Sequence, residues 1–128
     1  MDPIAQMLNQ IKNAQAVGKE SVSLDFSNFK QAVAKILEES HFVSKVEKKG
    51  RGPKKTLEIS LRYEDGQPIF TNFKKISKPG RRIFSPVKNI KTSHSGQGIV
   101  IVSTPKGLMT GSGARKSKLG GEVIAEVW

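Results

Sequence analysis

Cysteine is absent from the 128 residues. Its absence excludes disulfide staples, thiolate metal sites and thiol nucleophiles together. Aromatic residues are scarce, at 6%. No apolar run approaches the roughly 20 residues needed to cross a bilayer. No basic start followed by an apolar stretch marks a secretory signal. A soluble intracellular protein is therefore expected. One more absence is local. Over residues 66–121 there is no Asp or Glu. The same stretch carries Lys74, Lys75, Lys78, Arg81, Arg82, Lys88, Lys91, Lys106, Arg115, Lys116 and Lys118. Only Glu122 and Glu126 follow it, and the chain as a whole has a net charge of +11.

A solvated surface normally mixes both signs, because like charges raise the free energy of the compact state. A one-signed segment points to a polyanionic partner. Nucleic acid is the favoured reading. A basic face that serves solubility alone is the alternative, with an anionic membrane or an acidic protein behind both. A membrane-surface role would require a basic amphipathic helix. The cations here fall in β-rich and loop segments instead.

The first half alternates helix and strand signals. Asp2 caps and Pro3 opens a helix in which Ile4, Met7, Leu8, Ile11 and Ala14 form one apolar stripe. The stripe ends near Gly18. Val22, Leu24 and Phe26 alternate as a strand. Asn28 with Gln31 resembles a capping box that starts a second helix, with Phe29, Val33, Ile36 and Leu37 on its inner face. Phe42, Val43 and Val46 predict a strand, Lys48 and Lys49 enter a basic turn, and Leu57, Ile59, Leu61 and Tyr63 alternate as another strand.

Glu64-Asp65-Gly66 is a turn and the best domain boundary. Beyond it, residues 69–76 read as a strand of open register. Ser77-Lys78-Pro79-Gly80 turns the chain. Residues 93–98 form a polar loop. Ile99-Val100-Ile101-Val102 is a β-branched run that suits a strand buried on both faces. Residues 111–121 read as irregular or weakly helical, and residues 123–128 as a final strand. The fold class expected is α+β, in two small α/β domains. The first is a helix-strand-helix-strand-strand unit over residues 1–64. The second is a β-rich, basic, RNA-binding domain over residues 65–128.

Catalytic readings find little support. The two histidines are His41 and His94, and a Ser-His-Asp triad would need one of them beside a nucleophile and a carboxylate. Two histidines without cysteine make a structural zinc site equally poor. Gly111-Ser112-Gly113 before Ala114-Arg115-Lys116 echoes a phosphate loop but lacks the Gly-Lys-Ser/Thr of a Walker motif. No catalytic residue, metal or cofactor is assigned. Residues 103–110 are more informative. Ser103 and Thr104 offer hydroxyls, Pro105 limits backbone freedom, Lys106 supplies a cation and Gly107 allows close approach. Such a turn suits shape-based readout of irregular RNA and its 2′-hydroxyls. It equally suits a plain turn whose Ser and Thr bond their own backbone, and the sequence leaves both readings open.

The residues do carry a resemblance. Asp2-Pro3-Ile4-Ala5-Gln6-Met7-Leu8 with Ile11-Lys12-Asn13-Ala14 is similar to the start of the bacterial small-subunit ribosomal protein S-eight family. Ile76-Ser77-Lys78-Pro79-Gly80-Arg81-Arg82-Ile83 is similar to its middle. Gly98-Ile99-Val100-Ile101-Val102-Ser103-Thr104-Pro105-Lys106-Gly107-Leu108-Met109-Thr110 resembles its signature loop. Gly120-Gly121-Glu122-Val123-Ile124 resembles its ending. The four stretches run in register along the whole chain.

The resemblance implies a cytoplasmic structural protein of the small ribosomal subunit. It implies binding to the central domain of the small-subunit ribosomal RNA and help in its assembly. It also implies small-subunit proteins five and twelve as neighbours, and repression of the protein's own operon through a messenger site. A small-molecule substrate and a membrane are not expected. The RNA-facing residues it implies are Lys12, Asn13, Arg82, Phe84, Ser103, Thr104, Pro105, Lys106, Gly107, Thr110, Gly120, Gly121 and Glu122. By their chemistry, Lys12, Arg82 and Lys106 suit phosphates, while Asn13, Ser103 and Thr104 suit bases or sugar hydroxyls. Glu122 suits either a donor on the RNA or the orientation of the Ser-Thr loop, with the second preferred. Three departures from the family pattern stand out. Gly111-Ser112-Gly113 replaces a helix-forming acidic segment, and each glycine costs a helix about 1 kcal/mol relative to Ala. The short helix there is expected to fray or vanish. Pro105 stands where Ser is common, and Phe84 where Tyr is common.

Overall fold

The computed structural model of the protein describes residues 2–86 and 98–128. Lys88, Lys91, His94 and most of the expected polar loop at 93–98 lie outside the described residues. The chain divides into two compact units, Pro3–Thr71 and Asn72–Trp128, with Asp2 grouped with the second. The division falls beyond the Glu64-Asp65-Gly66 turn. That turn instead closes a two-stranded ribbon of β4 (Tyr63–Glu64) and β5 (Gln67–Pro68) inside the first unit.

In the first unit, α1 (Pro3–Ala16) and α2 (Asn28–Glu39) accompany a three-stranded antiparallel sheet. Its strands are β1 (Ser21–Asp25), β2 (Val43–Lys49) and β3 (Thr56–Leu61), in the order β1-β3-β2. The apolar stripe of α1 is buried as its spacing predicts: Ile4, Met7, Leu8, Ile11 and Ala14. Leu57, Ile59 and Leu61 give β3 one buried face. Fully burying a side chain such as Leu8 stabilises by about 1.5–3 kcal/mol. Two details of α2 differ from expectation. Its N-cap is Ser27, whose side chain accepts from the Lys30 N–H, rather than Asn28. Phe29 is 44% exposed, and Ala34 takes its expected place inside with Val33, Ile36 and Leu37. Phe29 keeps the spacing of the stripe, four residues before Val33, but stands in the first turn, at the end of the helix.

Gln15 was not legible as a core residue. It is 2% exposed on the buried side of α1. Its Nε2 donates to the Arg62 carbonyl at 2.7 Å, and its Oε1 accepts from the Phe70 N–H at 3.1 Å. Phe70 is itself buried and meets Phe42 edge-on. Gln15 thus ties α1 to the chain beyond β3. Gln15→Ala strands a buried N–H and is expected to cost about 1–2 kcal/mol. Urea denaturation checks this: an unchanged midpoint would mean the two backbone groups find other partners.

The second unit is a five-stranded antiparallel sheet. Its strands are β6 (Phe73–Lys75), β7 (Phe84–Ser85), β8 (Ile99–Thr104), β9 (Gly107–Thr110) and β10 (Gly121–Val127). The order is β6-β10-β8-β9, with β7 also pairing β10. Of the expected strand at 69–76, only Phe73–Lys75 enters the ladder. The β-branched run is the centre of the sheet, and Val100, Ile101 and Val102 are all buried. Strand β10 holds a bulge between Val123 and Ala125. The Ile124 carbonyl turns out of the β8 ladder and accepts from the Ile76 and Ser77 N–H groups instead.

The helix α3 (Gly111–Lys116) is formed, contrary to the expectation drawn from its glycines. Two tertiary terms override the propensity. Thr110 caps it, with Oγ1 accepting from the Gly113 N–H at 3.0 Å. Ala114 is fully buried against Val100 and Val102, with Met109 and Val123 packed around them. Arg115 and Lys116 in the last turn complement the carbonyl end of the helix.

Candidate nucleic-acid interface

Cross-strand registers place four residues in one row on the sheet of the second unit. Phe84 pairs with Glu122, Glu122 with Ser103, and Ser103 with Leu108. Opposed residues on neighbouring antiparallel strands point to the same face. Further along that face, Ile101 and Ala125 are fully buried. The row at Phe84 is the open end: Phe84 is 70% exposed. An exposed aromatic ring in an acid-poor, cation-rich region has the chemistry on which a base can stack.

The Ser-Thr loop is a two-residue hairpin. Strand β8 ends at Thr104, β9 begins at Gly107, and Pro105 and Lys106 form the exposed tip. Gly107 takes a φ of 112°, a conformation that side chains resist. Thr104 is 8% exposed. Its Oγ1 donates to the Gly107 carbonyl at 2.8 Å and accepts from the Lys106 N–H at 3.2 Å. The Thr104 hydroxyl therefore shapes the turn from inside. Ser103, next to it, is half-buried, and among the described residues nothing bonds to its hydroxyl. Thr110 is likewise engaged, as the cap of α3.

Gly121 is held by close approach. A Cβ there would clash with the Ser103 carbonyl oxygen, meet its carbon at 2.9 Å and meet Thr104 Cα at 3.2 Å. These are backbone atoms of the adjoining strand, which cannot swing aside as a flexible side chain can. Gly120 precedes it, half-buried, at the entry to β10.

Arg82 and Phe84 are fixed by a residue read from sequence as a mere turn position. Ser77 is fully buried. Its Oγ accepts from the Ile83 N–H at 2.8 Å and lies 3.2 Å from the Ile83 carbonyl, to which it donates. That carbonyl also accepts from the Val123 N–H at 2.8 Å. Below Ser77 the chain reverses through Pro79-Gly80, with Lys78 and Arg81 exchanging both backbone hydrogen bonds. A buried serine beside Pro-Gly was the available signal. The guanidinium of Arg82 reaches Glu122, NH1 to Oε2 at 3.4 Å.

Lys12 and Asn13 belong to the other unit, half-buried and exposed respectively on α1. Asn13 lines a cleft of about 470 Å³ with Gln6, Asn9, Gln10, Ser23, Asp25 and Lys30. The amides recur at helical spacing, so they share one face of α1.

Ion pairs are few in both units among the described residues. In the first, Lys45 pairs with Glu47 at 3.4 Å and Lys49 with Glu58 at 3.1 Å. The Glu58 carboxylate, through its hydrogen bond and its charge, holds Lys49 above the ordinary lysine value. The hairpin cations Lys48 and Lys55 also sit over the Phe26 ring, at 5.0 and 5.9 Å. In the second unit, Lys75 pairs with Asp2 at 3.2 Å and Arg82 with Glu122, while Lys106, Arg115, Lys116 and Lys118 are exposed and form no ion pair among the described residues.

Comparison with known proteins bears on the whole chain. The family model described as "Ribosomal protein S8" matches residues 2–128. "Small ribosomal subunit protein uS8" of Pelagibacter ubique is 45% identical over 127 residues, covering 99% of this chain and 97% of the relative. The protein of the same name from Mycoplasmopsis agalactiae is 42% identical with the same coverage. That of Dechloromonas aromatica is 44% identical over 126 residues, 98% of this chain and 96% of its own length. The match runs end to end, in the family model and in each of these relatives: the chain belongs to the ribosomal protein S8 family.

Proposed function

We propose that this protein binds the central domain of the small-subunit ribosomal RNA and helps that domain fold during assembly. Family membership makes it a structural, RNA-binding protein of the small ribosomal subunit in the cytoplasm, not an enzyme. The observation that carries the finer reading is the row Phe84–Glu122–Ser103, open at Phe84, beside the exposed Pro105-Lys106 tip. Stacking, hydrogen bonding and phosphate contact are offered together on a frame that is already ordered. Ordering costs little there on binding, which favours recognition over charge alone.

The roles divide by exposure. Phe84 stacks on a base, Ser103 reads a base edge or a 2′-hydroxyl, and Lys106 contacts phosphate. Pro105 and Gly107 set the shape of the tip that meets the RNA. Thr104, Thr110, Gly120 and Gly121 hold it in place. Lys12 and Asn13 provide contacts from α1. A messenger site that imitates the ribosomal one would use the same row, giving repression of the protein's own operon. Small-subunit proteins five and twelve as neighbours rest on the family resemblance.

The test is binding to a central-domain RNA fragment beside an unrelated duplex of equal length, across a salt series. Preference for the fragment that persists at high salt is expected. Equal binding to both would leave a polyanion-binding face and remove the specific reading. In the same series, Lys106→Ala is expected to weaken both complexes and make the log–log salt slope shallower by about one unit. An unchanged slope would take Lys106 out of the phosphate contacts.

A further inference from the structure

Glu122 is out of place. It stands at the open end of a sheet whose surroundings carry cations, and residues 66–121 offer no other acid. A carboxylate on a surface built for phosphate repels the ligand. Its partner is Arg82, at 3.4 Å, with the Arg82 side chain 53% exposed and that of Glu122 20%. So exposed a pair stabilises the fold little. Nor is Glu122 needed to hold Arg82 near β10, because Ser77 and Val123 already clamp Ile83 by its backbone. What the carboxylate does do is occupy the guanidinium.

We propose that Glu122 is an internal counter-anion, which holds Arg82 in the free protein and yields it only to an RNA that satisfies both partners. This rests on the RNA-binding reading of the same row. A phosphate alone would take Arg82 and leave a largely covered carboxylate beside it, unpaired and facing a second negative charge. That exchange is unfavourable. An RNA that brings a phosphate to Arg82 and a donor to Glu122, a base amino group or a 2′-hydroxyl, completes the exchange. Ser103 and Phe84 flank Glu122 in the row, so the donor must come from a nucleotide already stacked and hydrogen-bonded there. The pair thereby sets specificity: an unrelated duplex meets a surface with one cation fewer than the sequence provides.

Two variants test this in the full chain, with the central-domain fragment and an unrelated duplex as probes. Glu122→Gln removes the counter-charge. Its affinity for the duplex is expected to rise about three- to tenfold, with a salt slope steeper by about one unit as Arg82 reaches phosphate. The ratio of fragment to duplex affinity is expected to fall. Arg82→Gln reads the pair from the other side. It is expected to weaken the fragment complex while leaving the duplex slope at its wild-type value. An unchanged duplex slope in Glu122→Gln would overturn the proposal. So would a duplex slope made shallower by Arg82→Gln, since Arg82 would then already be free. The slopes are read on the duplex alone. Loss of fragment preference in the wild-type protein would instead count against the specific RNA-binding reading, and the two failures stay distinct.

Discussion

Gly121→Ala is expected to lower stability by about 3 kcal/mol and to abolish preference for the central-domain RNA. The added methyl points into the Ser103 carbonyl and lies against Thr104 Cα. Strand β8 cannot retreat, because it is held between β10 and β9 and Val100, Ile101, Val102 and Thr104 are buried. The strain must be relieved by opening the β10–β8 ladder at the end that carries the Ser-Thr turn. Stability and recognition therefore fail together. Gly80→Ala is the matched control. A Cβ there meets nothing within 4 Å, and the tip of its turn lies outside the row. Urea midpoints and RNA titrations of both variants provide the measurement. A Gly121→Ala protein with wild-type midpoint would show that the strands separate at that point without cost.

Thr104→Val keeps the shape and deletes the hydroxyl. The Lys106 N–H and the Gly107 carbonyl then lose their shared partner. Both lie at an exposed turn where water can substitute, so the stability cost is expected to be about 1 kcal/mol. That corresponds to about 4 °C in Tm for a chain of this size. Binding is expected to suffer more, by about 10- to 100-fold. Two recognition groups, Ser103 and Lys106, flank the freed turn, and each directional bond lost contributes about 1 kcal/mol. The affinity of the folded protein is the quantity to measure, at temperatures well below the transition. A large fall in Tm with unchanged affinity would make the turn structural alone.

The apolar spacing of α1, the alternation in β3 and the β-branched run of β8 were all legible, because each reflects burial on a regular period. The basic, acid-free stretch was legible as charge and the Ser-Thr loop as a turn. What could not be read was the commitment of individual groups. Thr104 and Ser103 are neighbours of similar chemistry, yet one hydroxyl is bound inside the turn and the other has no partner among the described residues. Strand alternation decides between them, and a single shift of register would exchange their roles. Gln15 has the spacing of the buried stripe, four residues after Ile11, but its polar type gives no sign of burial. Its partners, Arg62 and Phe70, are distant in sequence. The glycines of α3 misled for a related reason. Propensity measures an isolated helix, whereas this one is held by a cap and a buried alanine. The ion pair of Arg82 and Glu122 joins residues 40 apart, and no local pattern announces it.

The bulge in β10 makes the strand a phase shifter. Side chains upstream and downstream of Ile124 alternate on different parities. Glu122 therefore shares a face with Ala125 and Val127 rather than with Ile124 and Glu126, as the pairings with Ser103, Ile101 and Ile99 require. The strand can thus run from the half-buried Glu122 to the buried Ala125 and Val127 on one face, without placing Glu122 on the α3 side of the sheet. The extra residue works as a spacer between two reading frames. Drawing Ile124 into a regular ladder would preserve composition, charge and length. It would also turn Glu122 over onto the face that carries Val102 and Ala114, so the bulge is as much a part of the site as the identity of its residues.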